Sequence, residues 1–142
     1  MKLRIPYFDL SSDALAGLRS VNSYLETCSL ERELIELIYL RVSQINGCSF
    51  CLKKHSKALR DIGVSQEKLD VLSGWKSCSI FSEKEMAALG WAESLTHISV
   101  THAPDEDYQQ LTNYFSEKEI SDLTFAISNM NALNRLAIAM RQ

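Results

Sequence analysis

A chain of 142 residues with 46% hydrophobic and 23% charged residues has the size and balance of one soluble globular domain, which excludes a second domain, a disordered chain and a collagen-like repeat. Lys and Arg number 15 against 18 Asp and Glu, so the formal net charge is -3 and no basic surplus exists to displace counterions from a nucleic-acid backbone. Two prolines and five glycines are too few breakers for many short strands, and no apolar run approaches the roughly 18 residues that cross a bilayer, so neither nucleic acid nor membrane is expected as a partner.

Residues 1–10 read as an extended arm, because Pro6 disfavours helix while Tyr7, Phe8 and Leu10 offer anchors for docking on the body or on a neighbouring subunit. Lys2 and Arg4 are not followed by the apolar stretch and small-residue cleavage site of a secretory signal, and this reading places the protein in the cytoplasm. Thiols stay reduced there, so Cys28, Cys48, Cys51 and Cys78 read as core packing, metal ligands or redox groups before structural bridges.

Leu15, Leu18, Val21, Asn22 and Leu25 mark a first amphipathic helix, N-capped by Ser11 or Ser12 and ending near Cys28. Ser29 can cap the next. From Leu30 to Ile45 apolar residues fall on most sides, which predicts a core helix stopped at Asn46-Gly47. A third helix runs from Cys48 or Ser49 to about Asp61, closed by Gly63. Ser65 opens a short helix broken at Gly74-Trp75, and Ser82 with Glu85 forms a capping box for a fifth, running to about Ile98. Pro104 begins a sixth, and Ser116 with Glu119 launches a long last helix with a stripe of Ile120, Leu123, Ile127, Met130, Leu133 and Ala137, thickened by Phe125, Ala132, Leu136 and Met140. Only Ile98 to His102 reads as a possible strand. The expected fold is all-α: one domain over residues 1–142, a bundle of about six to seven helices with an N-terminal arm.

Cys48-Ser49-Phe50-Cys51 is a C-x-x-C, and His55 follows Cys51 by one helical turn on the same face. Both cysteines are expected in the first turn of the third helix, where orphan N–H groups and the macrodipole favour an anion, so one is poised as a thiolate near neutral pH. A sulfenic acid formed on one can condense with the other to a disulfide. His55 can accept the thiol proton and return it to a leaving oxygen if a further group orients its ring. In an antiparallel hairpin with its apex near Gly47, residues whose numbers sum to about 94 lie side by side, which brings Glu36 near His55.

The run Glu36-x11-Cys48-x2-Cys51-x3-His55, within "ELIYLRVSQINGCSFCLKKHSKALR", closely resembles the core of alkyl hydroperoxidase D-like proteins in the carboxymuconolactone decarboxylase family. The resemblance continues through "LGWAESLT" and "ISDLTFAISNMNALNRLAIAM". It implies an all-helical homo-oligomer, trimer or hexamer, with thiol-dependent peroxidase activity. In the scheme it implies, Cys51 attacks the peroxide, Cys48 resolves it, and Glu36 with His55 relays protons. Phe50 stands where the namesake enzyme has a histidine. The decarboxylase that names the wider family lacks the cysteine pair, so decarboxylase activity is not expected.

Other readings of the same residues are open. C-x2-C-x3-H supplies three zinc-compatible ligands, but no second C-x-x-C exists and His97, His102 or Cys78 would have to complete the set. The pair can also be packed thiols. Cys28 and Cys78 read as buried core residues, His97 and His102 as surface residues, and Trp75, Phe81, Trp91, Tyr108 and Phe115 as core or interface. Alone, Glu36 would be a solvated partner of Arg32. The expected function is a hydroperoxide reductase with a dithiol/disulfide cycle, without cofactor or metal, recharged by a cellular dithiol donor. The alternatives are a disulfide reductase or adaptor serving a partner peroxiredoxin, and a non-catalytic redox-sensing scaffold. Apolar surplus on the last helix, with Tyr7, Phe8 and Leu10 of the arm, is expected to be covered by another copy of the chain.

Overall fold

The computed structural model describes residues 2–142, and every regular element among them is helical. The arm is extended only as far as Pro6. Helix α1 (Tyr7–Leu10) is a single turn, and α2 (Ser12–Leu25) follows it after Ser11. Rather than projecting, the arm lies on the chain's own far end. Arg4 donates from its backbone N–H to the Met140 carbonyl (2.9 Å) and from its guanidinium to the Ala139 carbonyl (2.9 Å), and the Tyr7 hydroxyl bonds the Gln142 side chain.

Helix α3 (Arg32–Asn46) is the centre of the body. Its apolar residues face several directions, and it packs against the 49–61, 83–96 and 117–140 helices with Leu37, Ile38 and Val42 wholly buried. Ser29 does not cap it: Glu31 takes the N-cap position in extended conformation with no side-chain bond, and α2 has already ended at Leu25. Gly47 closes α3 at φ 71°, a left-handed turn that favours glycine, and reverses the chain into α4 (Ser49–Asp61).

Beyond Gly63, itself at φ 91°, come the short α5 (Gln66–Asp70) and a 3-10 turn (Leu72–Ser77) in which Gly74 leaves helical geometry. Both capping boxes form, Ser82 with Glu85 opening α6 (Glu83–Thr96) and Ser116 with Glu119 opening the long terminal helix. Between them, Ile98–Thr101 is a helical turn (α7) and not a strand, followed by α8 (Asp105–Thr112). Thr101 decides this locally. Its hydroxyl donates to the Ser94 carbonyl at 2.7 Å and accepts from Ala103 N–H at 3.3 Å, folding the segment back on α6, and no strand among the described residues offers it a ladder.

Helix α9 (Glu117–Met140) buries Ile120, Leu123, Ile127, Met130 and Ala137, with Leu133 half-buried, but Phe125 remains 58% exposed. The same helix buries a polar row that the stripe concealed. Asn46 donates to the side-chain oxygens of Asn131 (2.9 Å) and Asn134 (3.1 Å), and Asn134 donates to the Ser43 hydroxyl (3.2 Å). Paired buried amides specify register as well as contact, so α9 is pinned to the end of α3 from which Gly47 and Cys48 emerge. No helix of the described residues is long and apolar enough to cross a membrane.

Candidate active site

The α3–α4 hairpin brings together two residues that sequence alone sets far apart. Glu36, on α3, has a side chain 16% exposed, and His55, on α4, is buried. The Glu36 carboxylate accepts from His55 Nδ1–H at 2.7 Å. With Nδ1 committed, Nε2 is the nitrogen left for other chemistry. The Tyr39 ring, one turn after Glu36, lies 5.1 Å from the His55 ring between centroids and limits how far the imidazole can swing. Burial first, and the Glu36 charge next, push the Tyr39 hydroxyl far up in pKa, so it stays a donor and reaches Asn22 Oδ1 at 3.4 Å.

The two cysteines occupy different positions at the start of α4. Cys48 is the N-cap residue, in extended conformation, and not part of the first turn; its Sγ accepts from Cys51 N–H at 3.3 Å. Cys51 is the third residue of the helix. Their Cα atoms are 5.3 Å apart, well within disulfide range, and the two sulfurs are bonded to one another. Both residues are buried and pack with Ala137 of α9. An N-cap sulfur that already receives a backbone N–H sits where a developing thiolate gains from the helix terminus.

Two adjoining cavities, which share Phe50, Ala137 and Gln142, open on the pair. One, of about 160 Å³, has Cys51 and His55 in its wall, with Leu15, Arg19 and Asn22 from α2, Met130 and Leu133 from α9, and Tyr7 and Gln142 closing one end. A second, of about 410 Å³, is reached from the Cys48 side, past Phe50, Lys53, Ile138 and Arg141. A third, of about 560 Å³, lies behind the proton pair, between Glu36, Tyr39 and Arg32, and shares Asn22, Lys54 and His55 with the first. His55 thus stands in the wall of both the cavity that holds Cys51 and the one that holds Glu36.

All four residues singled out from the sequence, Glu36, Cys48, Cys51 and His55, converge here. Cys28 and Cys78 do not: both are free thiols elsewhere in the fold, and both are half-buried where full burial was expected. His97 and His102 are exposed, and of the aromatic group Tyr108 is exposed while Trp75, Phe81, Trp91 and Phe115 are buried. Among the described residues no three His, Cys, Asp or Glu side chains converge as a metal site requires. Sequence reasoning missed Asn22 and Tyr39. Asn22 did leave a signal, a polar residue on an apolar stripe: its Oδ1 accepts from Asn129 at 2.9 Å and from Tyr39, linking α2, α3 and α9 at the cavity wall.

The family model of the carboxymuconolactone decarboxylase family matches residues 13–94. The uncharacterized protein YdfG of Bacillus subtilis (strain 168) is 33% identical over 140 residues, spanning 99% of this chain and 95% of its own length. A crystal structure of ATU0492 from Agrobacterium tumefaciens, a protein of unknown function provisionally assigned as the antioxidant defence protein AhpD, superposes with a TM-score of 0.95 at 38% identity, covering 99% of this chain and 97% of that one. The debrominase Bmp8 shares the fold, with a TM-score of 0.83 at 22% identity over 95% of this chain and 73% of its own.

Proposed function

The chain belongs to the carboxymuconolactone decarboxylase family, and from that membership and the arrangement at the α3–α4 turn we propose that it reduces hydroperoxides with the Cys48–Cys51 dithiol. The observation that carries the reading is the hydrogen bond from His55 to the Glu36 carboxylate, set on the cavity that His55 shares with Cys51. A structural disulfide needs no oriented imidazole beside it. A thiol that must lose and return protons does.

Starting from the dithiol, His55 takes the Cys51 proton and Glu36 stabilises the imidazolium through Nδ1–H. The Cys51 thiolate attacks the terminal oxygen of ROOH, the O–O bond breaks, and RO⁻ leaves with the proton returned by His55 as ROH. Cys51 is now a sulfenic acid. Cys48 attacks that sulfur, the S–S bond forms, and hydroxide departs with the Cys48 proton as water. The sum is ROOH plus dithiol giving ROH, water and disulfide. An external dithiol then reduces the bond by exchange and is itself oxidised, and the cavity beside Cys48 gives it access to that sulfur.

Stopped-flow oxidation of the reduced protein by alkyl hydroperoxides, with peptide mapping of the product, tests this. Rapid oxidation with the new bond between Cys48 and Cys51 is expected. Slow oxidation by every peroxide with fast exchange against a protein disulfide would replace it with the reductase or adaptor reading.

A further inference from the structure

The cavity in front of Cys51 has an asymmetry that the chemistry at the sulfur does not require. The protein is acidic overall, yet the Lys, Arg, Asp and Glu side chains in that wall are Arg19 and Lys54 alone, with no carboxylate among them. Among the described residues neither cation has a carboxylate within ion-pair distance, so both charges are free to meet an anion. Both are exposed, at the rim. Arg19 is felt inside as well: its charge opposes the burial that pushes the Tyr7 hydroxyl up.

Asn22 adds a donor. Its Oδ1 is spent on Asn129 and Tyr39, which leaves the amide nitrogen as the unspent half of the side chain. Below the rim, Leu15, Met130 and Leu133 give the wall an apolar strip. Hydrogen peroxide gains nothing from such a wall, and it would fit a far smaller space than about 160 Å³, since one water needs only about 10–15 Å³. An alkyl chain gains from burial there, and an anion at its far end would meet two unpaired cations.

Building on the peroxidase reading, we propose that the preferred substrate is an organic hydroperoxide with a carboxylate at the end remote from the peroxide, the chain lying on Leu15, Met130 and Leu133 and the carboxylate received by Arg19 and Lys54. The chemical step is unchanged: the peroxide end is reduced to an alcohol by the dithiol and the carboxylate takes no part.

The test compares second-order oxidation rates of the reduced protein by ω-hydroperoxy acids of six, eight and twelve carbons with those of their methyl esters. The acid should react roughly three- to tenfold faster than its ester at the best chain length, the return of one or two solvent-facing ion pairs. That ratio should shrink as salt is raised and fall to near one in an Arg19→Gln/Lys54→Gln variant. Using a ratio removes any effect the substitutions have on the thiol itself. Equal rates for acid and ester, a faster ester, or a preference untouched by both substitutions would overturn the substrate assignment while leaving the peroxidase reading intact. Failure of every hydroperoxide to oxidise the pair would overturn both.

Discussion

His55 Nδ1 and Glu36 Oε2 meet at 2.7 Å across the α3–α4 hairpin, 19 residues apart in the chain. Because the contact fixes the ring and its tautomer, the two residues should not be equivalent in mutation. His55→Gln removes the base and is expected to slow thiol oxidation by about 10²–10⁴. Glu36→Gln leaves an unoriented base and should give an intermediate rate. Rates of oxidation by a neutral hydroperoxide between pH 6 and 9 check both, and a His55→Gln protein as fast as wild type would remove His55 from the mechanism.

The two cysteines should also separate. Cys51 lies on the cavity that His55 shares, Cys48 on the adjoining one that His55 does not reach. In Cys48→Ser, peroxide is expected to stop at a sulfenic acid on Cys51, trapped by dimedone and located by mass spectrometry; in Cys51→Ser, little adduct should form at Cys48. The reverse pattern would exchange their roles.

How much of this is legible in the sequence depends on the range of the interaction. Both capping boxes, the Gly47 stop and the placement of Cys51 and His55 on one face are local, so spacing reveals them. The Glu36–His55 contact is not local, yet a hairpin with a one-glycine apex leaves few registers, and simple pairing arithmetic brings Glu36 to the stretch of α4 that contains His55, within one turn of the observed partner. The Asn22–Tyr39–Asn129 linkage and the Asn46–Asn131–Asn134 row join three helices from distant parts of the chain, and nothing in periodicity says which buried amide faces which. The arm docks on the body, one of the two placements its Tyr7 anchor suggests, but it turns helical at Tyr7–Leu10, since Pro6 restrains the chain only locally, and its partner Gln142 at the far end of the chain has no local signal.

Glu93 ties the far side of the fold together. Its carboxylate accepts from Trp75 Nε1 (2.8 Å) and from Arg41 (2.7 Å) and pairs with Lys76 (2.8 Å), joining α3, the 3-10 turn and α6. Burial alone would raise its pKa, but the bonds from Lys76, Trp75 and Arg41 outweigh burial and hold it below the usual carboxylate range. A depressed carboxylate stabilises the fold fully above its unfolded pKa, and that contribution is lost as pH falls through the folded value. Glu93→Gln should therefore cost about 1–3 kcal/mol at pH 7, toward the lower end because the group still touches solvent, with the deficit shrinking below about pH 4. Denaturant titrations followed by Trp fluorescence at pH 7 and pH 3 measure it, and an equal deficit at both would refute the linkage.

The last prediction concerns assembly. Within α9, Phe125 is 58% exposed, and Tyr24 of α2, 48% exposed, shares with it a cavity of about 360 Å³. Nearer the thiols, Ile138 is 44% exposed and Phe50 42%. These side chains gain nothing in water, and closed symmetry lets identical chains bury the same patch without leaving an edge. A homo-oligomer is therefore expected at micromolar concentration, a trimer or hexamer as the family resemblance implies. Tyr24 and Phe125 flank Lys118 and the buried Asp122, which bond each other and Tyr24, so the patch has a rigid base. Light scattering coupled to size exclusion should give three or six times 16.1 kDa for the wild type and a smaller species for Phe125→Glu at unchanged helical circular dichroism. A wild-type mass near one chain would defeat the claim, and an oligomer indifferent to Phe125→Glu would move the interface to another face of the bundle.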